Sequence, residues 1–279
     1  MNEITDICQL SWYTNVNTFN YQGKHIILYD DHRWILNVIF ESMKLNFFNG
    51  EIPNVIYFDH HDDACFTDVK LKNYKVDNVL KLKSREFASI VEFDLSSLDD
   101  DWVTAGMELG LINNVVCIGN EENHNINNWG NSTYRTATNV EHLGFCINHL
   151  KWEIGSRGSL GDVMTDCHPD YLQIRNIFGY NNGTFTPSPH PFILDFDLDC
   201  FTTECKDNTF AWPEKIFWEE YGMYYPQCSS FMQQLISRAS IITICREPKC
   251  CGGIGESNKI LCYLDRYFFD GALGTEAMQ

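Results

Sequence analysis

The 279-residue sequence has no apolar run approaching the roughly 20 residues that a bilayer-crossing helix needs, which argues against a membrane span. Basic charge is scarce: 20 Lys and Arg stand against 38 Asp and Glu, for a net charge of −18. This balance disfavours nucleic-acid backbones and anionic membranes and suits cations, metals or basic peptides, although solubility alone accounts for it equally well. No Pro/Gly/Ser-rich linker and no internal repeat divides the chain, so residues 1–279 are expected to form a single domain. The start, Met-Asn-Glu-Ile-Thr-Asp, lacks a basic segment followed by an apolar one, so a cytoplasmic location is expected, with the 12 cysteines mostly reduced. Cys250 and Cys251 are adjacent rather than spaced as in a C-x-x-C zinc knuckle, and with Cys245 they read as small buried hydrophobes.

Short apolar runs alternate with helical periodicity along the chain. His25–Tyr29 reads as a strand, followed by Ile35, Val38, Ile39 and Met43 at helical spacing. Further strands are expected at Asn54–Asp59, Phe87–Phe93, Asn114–Ile118, Phe192–Asp199 and Ser240–Cys245, with a short one near Leu10-Ser-Trp-Tyr13. Asp99-Asp100-Asp101 marks a helix start before Trp102–Ile112, and a last helix carries Ile260, Leu261, Leu264, Tyr267 and Phe268 on one face. Helices are also expected at Pro213–Tyr221 and Cys228–Ala239, and the Asn- and Gly-rich stretch from Glu121 to Asn139 reads as a long loop. The pattern predicts an α/β fold with a mainly parallel sheet covered on both faces and ligands at the carboxyl ends of its strands.

Those strand ends carry the chemistry. Val55-Ile-Tyr-Phe-Asp59 runs into His60-His61-Asp62-Asp63, and alternate side chains of an extended segment would bring Asp59, His61 and Asp63 together. Phe192-Ile-Leu-Asp195-Phe-Asp197-Leu-Asp199 ends in carboxylates at alternate positions, and Tyr29 is followed by Asp30-Asp31-His32. Unpaired carboxylates at the end of a buried strand are costly, and divalent cations remove that cost. Two such strand ends suggest two ions. Oxygen-rich ligation with imidazole and no thiolate suits Mn²⁺, with Fe²⁺ or Zn²⁺ as alternatives, and two such ions can activate water against a poor electrophile. His60 and Asp62 are expected to play supporting roles beside the ligands, Asp195 to be a buried polar partner, and Asp30 and Asp31 to support His32.

The set His32, Asp59-x-His61-x-Asp63 and Phe196-Asp197-x-Asp199 resembles the ureohydrolases, whose motifs are D-H, D-A-H-A-D and S-F-D-x-D. The surrounding text, Tyr29-Asp-Asp-His32, Phe58-Asp-His-His-Asp-Asp63 and Asp101-Trp-Val-Thr-Ala-Gly-Met-Glu-Leu-Gly110, is similar to that of the peptide arginases, which convert arginine side chains of ribosomally made precursor peptides to ornithine and urea. The resemblance implies a three-layer α/β/α arginase-like fold. It further implies one Mn²⁺ on His32, Asp59, Asp63 and Asp197 and another on Asp59, His61, Asp197 and Asp199, with Asp59 and Asp197 bridging. Glu247, in Glu247-Pro248, matches the glutamate that binds the guanidinium. A carboxylate suits that role because it pairs bidentately with the planar cation.

Enzymes acting on free arginine follow their D-A-H-A-D with a hydroxyl- and amide-rich loop and a shuttle histidine, whereas here Ala64-Cys-Phe-Thr-Asp-Val-Lys follows. A peptide substrate is therefore expected, and the proton shuttle is open between Glu108 and a loop histidine such as His124. Two other readings stay open: a metal-dependent amide hydrolase resembling the lysine deacetylases, and a peptide-binding module without turnover. The oligomeric state, including a homo-oligomer, is left open.

Overall fold

The computed structural model describes residues 16–61, 63–65, 71, 76–119, 132–135, 141–146, 180–181, 184–185, 190–205, 208–215, 217, 232–233 and 235–275. The expected strand at residues 10–13 lies outside them, as do Asp62, His124 and most of the Asn-rich stretch.

The centre of the molecule is an eight-stranded, mostly parallel sheet. In chain order its strands are β1 (Asn17–Tyr21), β2 (Lys24–Tyr29), β3 (Asn54–Asp59), β4 (Val115–Gly119), β5 (Ser132–Arg135) and β6 (Glu141–Cys146), then, after the small hairpin β7 (Tyr180–Asn181) and β8 (Thr184–Phe185), β9 (Phe192–Asp197). A second hairpin, β10 (Thr202–Cys205) and β11 (Asn208–Ala211), precedes the last sheet strand, β12 (Ile241–Cys245). Across the sheet the order is β1-β2-β12-β9-β3-β4-β6-β5. Only the pairings at the two ends, β1 with β2 and β5 with β6, are antiparallel.

This order places the site. From β3 the chain continues outward through β4 and β6, whereas from β9 it continues the other way to β12, so β3 and β9 are neighbours at a topological switch point. In open α/β sheets the crevice at such a point, beyond the carboxyl ends of the strands, is where ligands bind. Asp59 ends β3 and Asp197 ends β9.

Strands β3, β9 and β12 are buried along their whole length, as continuous apolar runs between helical layers should be. Alternation sorts their side chains onto the two faces. Ile56, Phe58, Leu194, Phe196, Ile242 and Ile244 pack on one side with Ile260, Leu261, Leu264 and Phe268 of the C-terminal helix (Ile254–Phe268). Val55, Tyr57, Ile193 and Ile241 pack on the other with α1 (Ile35–Lys44), with Phe87 and Val91 of Ser84–Phe93, and with Trp102 and Val103 of Trp102–Glu108. By the same alternation Asp59, Asp195 and Asp197 belong to this second face.

Four expectations are corrected. Residues 84–93 form a helix, not a strand: Phe87, Ala88, Ile90 and Val91 are buried at helical spacing, and the Lys83 N–H donates to Glu86 Oε2 at 2.8 Å at its start. The stretch expected to be one long loop contains β5 and the start of β6 lies just beyond it; strand β6 extends the parallel sheet from β4. The strand expected to reach Asp199 ends at Asp197, and Leu198–Phe201 form a 3-10 turn. The helix at Trp102 stops at Glu108, before Gly110 at φ 70°. Residues 214–215 and 217, and 232–233 and 235–238, are helical within the two stretches where helices are expected. No helix among the described residues is long and apolar enough to cross a membrane.

Candidate metal centre

The centre is assembled by the ends of four strands. After β2, the Trp34 N–H bonds the Asp31 carbonyl at 3.0 Å, and this tight turn presents His32 from the first residue of the 3-10 segment His32–Trp34. His32 is fully buried. Its Nε2 lies 2.8 Å from Asp195 Oδ2, and Asp195 Oδ1 accepts from the hydroxyls of Tyr29 at 3.1 Å and Thr243 at 2.5 Å. Each oxygen of Asp195 is thus engaged, and Nε2 is the nitrogen that carries hydrogen toward it. In a neutral ring Nδ1 would then keep its lone pair toward the other carboxylates, where a cation could bind it. A carboxylate fixing the far nitrogen of an imidazole is the usual support for a metal-ligating histidine.

Around Nδ1 three carboxylates converge: Asp59 Oδ2 at 3.2 Å, Asp63 Oδ2 at 2.8 Å and Asp197 Oδ2 at 2.9 Å. One ring N–H cannot satisfy three acceptors. His32 Nδ1, Asp59 Oδ2, Asp197 Oδ2 and Asp199 Oδ2 are in fact buried with no hydrogen-bond partner among the described residues. Buried polar atoms left in this way are costly unless something else binds them, and His32 Nδ1, Asp59 Oδ2 and Asp197 Oδ2, which meet at one place, fit a cation. The buried cluster of His32, Asp59, Asp63, Asp195 and Asp197 can therefore hold a metal ion.

A second group adjoins it. His61 Nδ1 lies 3.1 Å from Asp199 Oδ2 and 3.8 Å from Asp59 Oδ1, so the two oxygens of Asp59 face the two histidines. Asp59 Oδ1 also accepts the His61 N–H at 2.6 Å, and Asp199 Oδ1 accepts the His60 N–H at 3.1 Å. Asp197 Oδ1 accepts the Asp199 N–H at 3.2 Å, so its free oxygen faces His32 and the fit of Asp197 to the second group is weaker than that of Asp59. Asp59, His61 and Asp63 do not converge by extended alternation. Asp63 sits at φ 47°, and its carboxylate takes the indole N–H of Trp102 at 2.6 Å. The Trp102 helix pins this loop further, through Val103 N–H to the Asp63 carbonyl at 3.1 Å and the Thr104 hydroxyl to the Ala64 carbonyl at 3.0 Å.

Charge tells the same story. Burial and then Asp63 push the Asp59 carboxyl well above its ordinary range, and burial and then Asp199 do so for Asp197. Burial alone would lower His32, but Asp195 and Asp197 outweigh it and hold the ring well above its usual value. At His61 burial is likewise outweighed, by Asp199, and its pKa rises to about 9. Asp199 moves the other way, because His61 overcomes the effect of burial. Protons here do what a cation does: they relieve packed negative charge. Metal binding must displace them.

Glu247 follows β12, is buried and adopts φ 35°. Burial, then Asp197 and Asp199, push its carboxyl strongly upward. Its ligand atom falls within 4.8 Å of those of Asp199 and Cys250. Next to it an open cavity of about 140 Å³ is lined by His60, His61, Asp199, Thr202, Thr209 and Cys250, with Lys249. The site therefore opens on the His61 side.

Other sequence candidates take supporting places. Asp30 pairs with Arg246 Nε at 2.6 Å and so ties the ends of β2 and β12 together. Glu108 is the last residue of the Trp102 helix and is half-buried. Tyr29, Thr243 and Trp102 fix the ligands; Tyr29 and Trp102 stand inside the stretches quoted above without a role of their own and Thr243 outside them, and only their places in neighbouring strands and a packed helix reveal what they do. Cys250 reaches the cavity although its sequence context marks it as core. No protein-family model and no curated protein matches this chain.

Proposed function

We propose that the protein is a peptide arginase with a three-layer α/β/α arginase-like fold, hydrolysing arginine side chains of a ribosomally made precursor peptide to ornithine and urea. The observation that carries this reading is the shared carboxylate: Asp59 presents one oxygen to His32 and the other toward His61. His32, Asp59, Asp63 and Asp197 would hold one Mn²⁺, and Asp59, His61 and Asp199, with Asp197, the other. Bound there, the pair would supply Lewis acidity that lowers the pKa of a water and polarises the substrate carbon.

The chain's own groups then set the geometry. With the charge of Asp197 and Asp199 neutralised in the filled site, Glu247 would be ionised and would accept two guanidinium N–H groups, turning the central carbon toward the water. Water adds to that carbon, the bond to the side-chain nitrogen breaks, and the departing amine takes a proton to leave ornithine, with urea as the other product. The Asp195, Tyr29 and Thr243 network keeps His32 in the ligating tautomer throughout.

A peptide suits the site better than free arginine. The ammonium and carboxylate of a free amino acid must be paired or left desolvated, and the stretch Ala64-Cys-Phe-Thr-Asp-Val-Lys70 carries a single hydroxyl, that of Thr67, and no amide side chain for them. The −18 net charge also favours a basic peptide. With Mn²⁺ added, kcat/KM for urea release from an arginine within its precursor peptide should exceed that for free arginine by at least ~100-fold, or ~2.7 kcal/mol. Equal rates would overturn the peptide assignment. Acetate release from acetyl-lysine peptides without urea would point to the amide-hydrolase alternative, and tight peptide binding without product to a binding module.

A further inference from the structure

Beside the oxygen-rich pair lies a group of different chemistry. The ligand atoms of Asp199, Glu247 and Cys250 fall within 4.8 Å of one another, at the mouth of the cavity that His60 and His61 also line. Asp199 is 1% exposed, and its Oδ2 faces His61 Nδ1 at 3.1 Å, so this carboxylate would be shared between the His61 position and the one beside Cys250. Cys250 is part-exposed and carries a free thiol. A cation with Zn–S near ~2.3 Å and Zn–O near ~2.1 Å sets its ligands roughly 3.5 Å apart, so these groups need to close by only about an ångström.

We propose that Cys250, Glu247 and Asp199 form a third, thiophilic cation position, one that takes Zn²⁺, Co²⁺ or Cd²⁺ in preference to Mn²⁺ and blocks the cavity when filled. Preference follows from the donors. A thiolate is soft and binds zinc-group and late first-row ions far better than Mn²⁺, whereas His32, Asp59, Asp63, Asp197 and His61 present only nitrogen and oxygen. A fourth coordination place faces the open cavity, where water completes it. The backbone around Cys250 is already tight, since the Cys250 and Cys251 N–H groups both bond the Glu247 carbonyl, at 3.0 and 3.1 Å. Glu247 and Cys250 are thereby held on one short turn.

The blocking role rests on the arginase reading, because it assigns Glu247 to the guanidinium; the binding of the ion does not. An ion on Glu247 and a guanidinium on Glu247 exclude each other. Micromolar Zn²⁺ should therefore inhibit urea release by competing with the peptide, raising KM.

The test uses the Mn²⁺-loaded full chain titrated with Co²⁺. A sulfur-to-cobalt charge-transfer band in the near-ultraviolet should grow to one equivalent, should vanish in Cys250→Ser, and should persist in the Cys65→Ser and Cys251→Ser controls. Absence of the band in the wild type, or its survival in Cys250→Ser, would overturn the proposal. In a parallel urea assay, with each variant's own uninhibited rate as reference, Cys250→Ser should need at least about tenfold more Zn²⁺ for half-inhibition, and equal sensitivity would overturn the blocking role. A protein that shows the band but releases no urea would keep the cation position and refute the arginase reading instead.

Discussion

His32 and His61 face the same carboxylate from opposite sides, in surroundings that differ in kind. The side chain of His32 is 0% exposed, lies with its ring centroid 4.8 Å from that of Trp102 at a tilt of 48°, and has its far nitrogen committed to Asp195. The side chain of His61 is 51% exposed and borders the cavity. A buried polar network holds its geometry because any departure leaves groups desolvated, whereas an exposed ring is fixed only by what it binds. The inner position is thus prearranged, and the outer one borders the open cavity.

The most damaging way to break this contrast is to remove what the two halves share. Asp59→Ala should lose both ions and all urea release, read by elemental analysis of the dialysed protein and by product assay. Full retention of two ions would mean that the halves are not joined at Asp59. Glu247→Gln should leave metal content unchanged and cost ~2–4 kcal/mol of transition-state stabilisation, seen as a fall in kcat/KM. Near-normal turnover would remove Glu247 from the guanidinium; Glu256 is no substitute, since it already accepts the Ala211 N–H at 3.0 Å and pairs with Lys259.

A finer cut touches only the inner half. Asp195→Asn should weaken the ion on His32 by roughly 10–100-fold, the usual scale for a lost supporting carboxylate, and spare the one on His61. Equal weakening of both in a metal titration would show that the network serves the whole cluster.

The smallest effect concerns pH. Asp99, which pairs with the buried Arg33 at 3.1 Å on the inner side, has its carboxyl pushed up to about 7, by burial first and against the pull of Arg33. Between the ordinary value of 3.8 and about 7 the folded protein holds a proton that the unfolded chain has lost. By linkage, this contribution makes stability fall as pH rises through that window and stay level above it. Asp99→Asn should flatten that part of the slope, measured as Tm from pH 5 to 8, without changing metal content. An identical slope in the variant would show that Asp99 does not titrate there.

The same inner and outer division marks what was legible in the sequence. Strands β3, β9 and β12 are largely apolar runs, so their presence, and the acidic residues at the ends of β3 and β9, stand out from hydrophobicity alone, although β9 stops at Asp197 rather than Asp199. Helix Ser84–Phe93 reads as a strand because Ile90, Val91 and its two phenylalanines favour β-structure locally, and only packing against α1, where Phe40 stacks on Phe87 at 4.2 Å, decides for the helix. The tautomer of His32 was not legible, since it depends on Thr243 and Asp195 meeting in register across two strands that are 48 residues apart in sequence. Cys250 was missed for a similar reason. Its place on the cavity follows from a turn closed on the Glu247 carbonyl and from Gly252, at φ 83°, where a Cβ would lie 2.0 Å from the Thr209 carbonyl oxygen of the β10–β11 hairpin.

The central claim is that two ions sit side by side, one enclosed and one open, with Asp59 between them. Titration of the metal-free protein with Mn²⁺, followed by calorimetry and elemental analysis, tests it directly. Two equivalents per chain should bind to the wild type, and His61→Ala should bind one, keeping the enclosed ion on His32. A single equivalent in the wild type, or two in His61→Ala, would contradict the account.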